Sequence, residues 1–334
     1  MSGVGAHRPA CPTHGRALCF DCRHEQGDEP MTTARQALID GTERLRAAGI
    51  DSARTDAELL LCHVLGVTRT RLLLVDELDH DQRMAYERLL SRRQSRVPLQ
   101  HLTGVAPFRR LTLAIGPGAL VPRPETETVV EAAIRWVRAR RDEGTLPQAG
   151  ERPLLLDLCS GAAPIALALA TELPGVDVVG IERYADAQAW GRRNLALHAD
   201  AVQASSSSLD LIDGDATDPG LFETYADRAV LVITKPPYIP NGMVPRDPEV
   251  AAHDPHEALF GGPDGLEIVR GLLDTAALAL RPGGLLVIEH ADAQGERAGD
   301  AGVPAVVRAH GAFTDVVDHD DLTGRPRYTT ALRT

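Results

Sequence analysis

From Leu154 onward, short apolar runs alternate with helical patterns, and this alternation restricts the fold more than any other feature of the chain. The runs are "LLLDL", "VDVVGIE", "SLDLIDGD", "AVLVIT" and "GLLVIEH". Strands separated by helical segments predict a parallel sheet with crossover helices. "FTDVVDHDDLTGRPRYTTALR" predicts a closing hairpin around Gly324. The fold class expected is therefore α/β, with a Rossmann-like domain as its larger part.

Upstream, Thr32 to Arg96 carries apolar residues at helical spacing. "DAELLLCHVLG" places Ala57, Leu60, Leu61, Val64 and Leu65 on one face, and Gly66 suits a helix stop. "DQRMAYERLLSRRQSR" predicts a second amphipathic helix whose arginines read as a solvated face. Val97 to Val121 is broken by Gly and Pro into short β-type runs, which reads as a hairpin linker, and a helix is expected from near Thr126 to about Arg141. The boundaries predicted are an extension over residues 1–30, a helical domain over 31–96, a linker over 97–124 and the α/β domain over 125–334.

Composition excludes several classes of function. No apolar run in the 334 residues approaches the length of a membrane span. The N-terminus lacks the apolar core of a signal peptide, so a cytoplasmic location is expected. A net charge of −12 argues against broad nucleic-acid binding. The five cysteines do not form a secreted framework. Cys11, His14, Cys19 and Cys22 offer a tetrahedral zinc set, but the spacer is short and no core follows, so a disordered tail is the reading preferred and no metal is expected.

Chemistry is expected at the strand exits. "LLLDLCSGAAPIALALA" is a strand, a small-residue turn and a helix, running from Asp157 through Cys159, Ser160, Gly161, Ala162 and Ala163. Backbone approaches a ligand closely only where side chains are minimal, and a helix N-terminus adds free N–H donors. The next strand ends in Glu182, whose carboxylate can accept from both hydroxyls of a ribose. The strand after it exits at Asp215, placed to accept from an adenine amino group. These groups suggest an adenosine site, and the lack of a full glycine pattern argues against a dinucleotide.

The stretch "VLVITKPPYIP" ends a buried strand on Lys235, Pro236, Pro237 and Tyr238. Proline stops the ladder and fixes the turn. Tyr238 offers a face for a planar nitrogen substrate and the proline carbonyls offer acceptors for N–H. Lys235 is the only lysine in the chain.

With "PLQHLTG", "LVPRPETE", "KPPYIP", "ALFGGPDGL" and "RPGGLLVIEH", residues 31–334 resemble the peptide-chain release-factor glutamine methyltransferases, which use S-adenosylmethionine. The resemblance implies that Asp157, Cys159, Ser160, Gly161, Ala162, Ala163, Glu182, Asp215 and Lys235 surround the cofactor. It implies that Lys235, Pro236, Pro237 and Tyr238 are catalytic. It also implies that the proline–proline–tyrosine turn holds a glutamine side chain of a release factor, with Arg123 and Glu125 nearby. Two departures stand out. Cys159 and Ala163 replace glycines, and Lys235 replaces an asparagine whose amide oxygen accepts from the substrate. An ammonium has no acceptor. At about 4 Å from a sulfonium it would meet a repulsion of about 4 kcal/mol at an effective dielectric near 20. Three outcomes follow for Lys235: pairing with Glu125 or Glu127, a depressed pKa that leaves a neutral amine, or loss of transfer. The alternatives carried are therefore a nucleobase amino-group methyltransferase and an inactive adenosine-binding interaction protein.

Overall fold

The computed structural model describes residues 32–146 and 151–334. Cys11, His14, Cys19 and Cys22 lie outside these residues. Among the described residues no group of His, Cys, Asp and Glu is arranged to hold a metal ion. Nor is any helix among them long and apolar enough to cross a membrane.

The chain opens with β1 (Thr32–Thr33), α1 (Ala34–Ala47), α2 (Ala53–Leu65), α3 (Arg69–Leu72), β2 (Glu77–Leu78) and α4 (His80–Gln94). Local chemistry sets these boundaries. The Thr33 hydroxyl accepts from Gln36 N, Asp79 and Gln82 form a reciprocal capping box, and Gly66 closes α2 in a left-handed conformation. Leu45, Leu60, Leu61, Tyr86 and Leu90 form the buried centre of this bundle.

The stretch read as a hairpin begins instead with a short helix, α5 (Leu99–Thr103), started by Pro98 and stopped by left-handed Gly104. The hairpin proper is β3 (Val105–Phe108) and β4 (Leu111–Ala114). Helix α6 (Pro124–Asp142) follows, with Pro124 at its first turn and Thr126, Val129, Val130, Ala133, Ile134 and Val137 on one buried face.

The α/β part contains β5 (Leu154–Leu158), α7 (Pro164–Glu172), β6 (Asp177–Glu182), α8 (Ala185–Ala204), β7 (Ser208–Asp213) and β8 (Ala229–Thr234). After it come α9 (Pro248–His253), α10 (Glu267–Ala279), β9 (Leu280–Glu289), α11 (Val303–His310), β10 (Phe313–Asp320) and β11 (Pro326–Arg333). The sheet order is β10-β11-β9-β8-β5-β6-β7, parallel from β7 to β9, with the last two strands antiparallel. Both β5 and β8 are wholly buried because helices cover both faces, which is why they read as unbroken apolar runs. Leu155 and Val178 face α6 and α7, whereas Leu156 and Val179 face α10. Strand order reverses between β5 and β8, so loops leave in opposite directions there and a crevice opens at the strand ends.

Two side chains of α8 hold the hairpin against this crevice. Buried Asn194 accepts from Ala114 N (2.7 Å) and donates to the carbonyls of Ala114 and Ala162 (both 3.0 Å). Trp190 donates to the Pro117 carbonyl (3.1 Å).

The arginines of α4 are not all solvated, which corrects the expectation from the sequence. Arg93 is buried between Asp56 (2.7 Å) and Glu249 of α9 (2.8 Å), and Arg96 reaches the same Glu249 (3.2 Å). A buried cation that donates to two carboxylates repays its desolvation only through such partners. Arg93→Met, which strands Asp56 and leaves Glu249 with Arg96 alone, should lower the unfolding free energy in urea by about 3–5 kcal/mol. Adding Asp56→Asn and Glu249→Gln should recover part of the loss. A change below about 1 kcal/mol would show that the network is screened and structurally idle.

Candidate active site

A cavity of about 360 Å³ opens at the strand ends. Its wall takes Cys159 to Ala162 after β5, Glu182 after β6, Gly214 to Thr217 after β7, and Lys235 with Pro237 after β8. Arg123 and Thr126 close it from the start of α6, and Pro255, Glu257 and Ala258 close it from the loop after α9. The fold therefore gathers nine of the fourteen residues singled out in the sequence onto one surface: Arg123, Cys159, Ser160, Gly161, Ala162, Glu182, Asp215, Lys235 and Pro237. Asp157, Ala163 and Pro236 are buried outside the wall, and Glu125 stands half-buried in the first turn of α6, also outside it.

The turn after β5 is bent by left-handed backbone at Cys159 (φ 63°), Gly161 (φ 57°) and Ala163 (φ 64°). For the two non-glycine residues this conformation costs about 1 kcal/mol each. Asp157 supports the bend from beneath, where its Oδ2 accepts from Ser160 Oγ (2.9 Å) and Ala166 N (3.0 Å). Burial pushes its carboxyl up to about 7, against the lowering effect of those two hydrogen bonds, and Oδ1 has no partner.

Glu182 reaches the same turn. Oε2 accepts from Gly161 N (2.7 Å), and Oε1 from Arg183 N (2.8 Å) and Tyr184 N (2.9 Å). Of roughly four acceptor positions on a carboxylate, three are taken, so one remains on Oε2 rather than the two that a pair of hydroxyls needs. Asp215 is similar: Thr217 N and Oγ1 fill Oδ1, and Arg183 occupies Oδ2 (2.9 Å). Burial raises its pKa, but these partners outweigh that and the net shift is downward.

Lys235 corrects two of the expectations. Its Nζ lies 2.9 Å from Oε1 of Glu289, at the end of β9, not against Glu125 or Glu127. Burial alone would lower its pKa, yet Glu289 and Tyr238 outweigh it and the pKa is raised, so the side chain is a locked ammonium. The same Nζ donates to Tyr238 Oη (3.3 Å) and stands 4.7 Å from that ring's centre. One face of Tyr238 is thus occupied by Lys235, and the ring lies outside the cavity wall.

The turn itself is held by backbone. Ile239 N donates to the Leu259 carbonyl (2.8 Å), Gly261 N to the Ile239 carbonyl (2.9 Å), and Gln294 Nε2 to the Tyr238 carbonyl (2.9 Å). A Cβ on Gly261 would collide with the Pro237 carbonyl, and one on Gly265 with the Tyr238 carbonyl. That contact explains the glycines of "FGGPDGL".

Sequence reasoning missed Glu289, Asp254 and Gln294. The Asp254 side chain is 1% exposed and accepts from Arg123 (2.5 Å). No local signal marks these three, because their partners lie in other elements.

Residues 36–104 match the family model described as the PrmC N-terminal domain. The chain is 42% identical over 303 residues to the release factor glutamine methyltransferase of Mycolicibacterium smegmatis, covering 91% of this chain and 99% of that one. It is 44% identical over 297 residues to the protein of the same name from Streptomyces coelicolor, covering 89% and 96%. A Streptomyces pristinaespiralis protein, 4-amino-L-phenylalanine/4-methylamino-L-phenylalanine methyltransferase, is 36% identical over 290 residues, covering 84% and 89%.

The Asp157 carboxyl gives a pH test. Its folded pKa of about 7 lies above the ordinary 3.8, so between these values the folded chain holds a proton that the unfolded chain has lost. Its contribution to stability should therefore fall as pH rises from about 4 to about 7, by up to about 1.4 kcal/mol per unit. Asp157→Asn should remove that slope, as read by urea unfolding across the range. Parallel pH profiles for the two proteins would mean that the carboxyl is ionised when folded.

Proposed function

The chain belongs to the release factor glutamine methyltransferase family, and from that premise we propose that it methylates a glutamine side-chain amide in a peptide-chain release factor, in the cytoplasm. The observation that supports the reading best is that one cavity joins the small-residue turn and acids of β5 to β7 with the Lys235–Pro237 turn of β8. In this reading residues 31–96 recognise the substrate, 97–124 link, 125–334 carry out the transfer, and 1–30 are an extension.

The wall fits S-adenosylmethionine, which supplies an electrophilic methyl group on a sulfonium. Cys159 to Ala162 expose backbone where an amino-acid moiety can approach, with Asp157 beneath and Ala163 shaping the bend. The remaining acceptor position of Glu182 takes a ribose hydroxyl, and that of Asp215 the adenine amino group. At the other end the rigid proline carbonyls accept N–H from the glutamine amide. Lys235, a donor, takes the amide's carbonyl oxygen. Tyr238 orients that lysine and Glu289 compensates its charge, which reduces the repulsion an unpaired ammonium would exert on the sulfonium. Arg123, held by Asp254, borders the acceptor, with Glu125 at the helix start behind it. Incubation of the enzyme, cofactor and an unmodified release factor should add one methyl group to a glutamine peptide by intact and tandem mass. No such addition would remove this substrate.

Glu182→Ala should weaken cofactor binding about 10- to 100-fold in isothermal titration, because it frees the turn's N–H groups and removes a charge-assisted acceptor. Unchanged affinity would move the adenosine site elsewhere.

Lys235→Asn alone should destabilise the fold by about 3–5 kcal/mol, since buried Glu289 loses its cation. Pairing it with Glu289→Gln should recover most of that stability in thermal unfolding and retain glutamine methylation. Equal stability of the single and double variants would show that Glu289 does not depend on Lys235.

A further inference from the structure

The cavity wall has two ends of opposite chemistry. At the adenosine end the carboxylates of Glu182, Asp186 and Asp215 themselves line the space, with one cation, Arg183, paired to Asp215 beside them. At the other end the cations line it and their carboxylates are withdrawn. Lys235 is 14% exposed with Glu289 behind it at 2%, and Arg123 is 32% exposed with Asp254 behind it at 1%. The second oxygens of Glu289 and Asp254 are buried without partners. The withdrawn carboxylates thus offset the charges of Lys235 and Arg123 from behind, and the two side chains present donors to the acceptor. Lys235 and Arg123 both line this one cavity.

We propose that this site also accepts a side-chain carboxylate, and that the enzyme methylates glutamate at the position where its release-factor substrate carries glutamine. The inference rests on the glutamine reading for the location of the acceptor. A carboxylate offers two oxygens to two cations, whereas an amide offers one oxygen and must leave its N–H groups to the proline carbonyls. The chemistry is also simpler. A carboxylate oxygen lone pair forms the O–CH3 bond, the methyl–sulfur bond breaks with its electron pair going to sulfur, and the sulfonium becomes a thioether. No proton moves. Attack by an amide nitrogen requires an N–H proton to leave, and the ammonium of Lys235 cannot accept it.

The test begins with the release factor itself. The modified glutamine is located by tandem mass, replaced by glutamate, and both factors are incubated with enzyme and tritiated cofactor. Transfer to the glutamate factor within about tenfold of the glutamine rate is expected. The label should be released by mild alkali, as a methyl ester is and an N-methyl amide is not. Independently of turnover, a peptide carrying glutamate should bind the cofactor-free enzyme at least as tightly as the glutamine peptide, by isothermal titration. The Lys235→Asn/Glu289→Gln variant should lower the glutamate-to-glutamine ratio at least tenfold in both assays; a ratio is internal, so a partly folded preparation does not mimic it. Transfer to glutamine with none to glutamate, or an unchanged ratio in the variant, overturns this inference and leaves the glutamine reading standing. Transfer to neither factor overturns both.

Discussion

The reversal of strand order between β5 and β8 is the constraint on which the rest depends. Parallel neighbours whose connections depart to opposite sides cannot both be covered at their ends, so a crevice is unavoidable there. Glu182, Asp215 and Lys235 then reach the crevice because a strand stops beside each of them. Gly161 and Glu182 meet because β5 and β6 pair in register, Leu158 opposite Ile181. Lys235 meets Glu289 because β8 and β9 pair in register, Thr234 opposite Ile288. The sheet delivers a carboxylate beside each exit, and the crevice delivers the solvent-facing side.

The rigidity of the turn after β8 has a different origin. Two prolines restrict the backbone of the turn, and Gly261 and Gly265 let a second segment hydrogen-bond along it without side chains intervening. That second segment belongs to the long connection between β8 and α10, which also carries Glu249 and Asp254. Through Glu249 it is tied to Arg93 and Arg96 of the helical bundle, and through Asp254 to Arg123 at the cavity. One connection therefore links the element that would recognise a protein partner to the wall that would hold its side chain, with buried charges as the fasteners.

Strain collects in the turn after β5. Cys159 and Ala163 hold left-handed backbone where glycine would be at ease, and the turn persists because Asp157, Glu182 and Asn194 bond to it from three sides. Small side chains keep the approach open, so the departures from the glycine pattern alter the energy of the turn more than its shape.

The sequence by itself determined the α/β class, the five parallel strands, the closing hairpin, the helical bundle and the exits that carry Gly161, Glu182, Asp215 and Lys235. These are local properties: apolar periodicity, small residues at a turn and proline after a strand act within a few residues of one another. The first half of the linker was misread because Leu99–Thr103 is too short for a helical period to show. Only the tertiary structure decided what the charges do. Lys235 and Glu289 are 54 positions apart, Arg93 and Glu249 are 156 apart, and Arg123 and Asp254 are 131 apart. An ion pair forms wherever packing brings two side chains within about 4 Å with water excluded, and no pattern along the chain records that distance. Lys235 and Arg123 face the cavity for the same reason: burial withdrew Glu289 and Asp254 and left the donors in the wall.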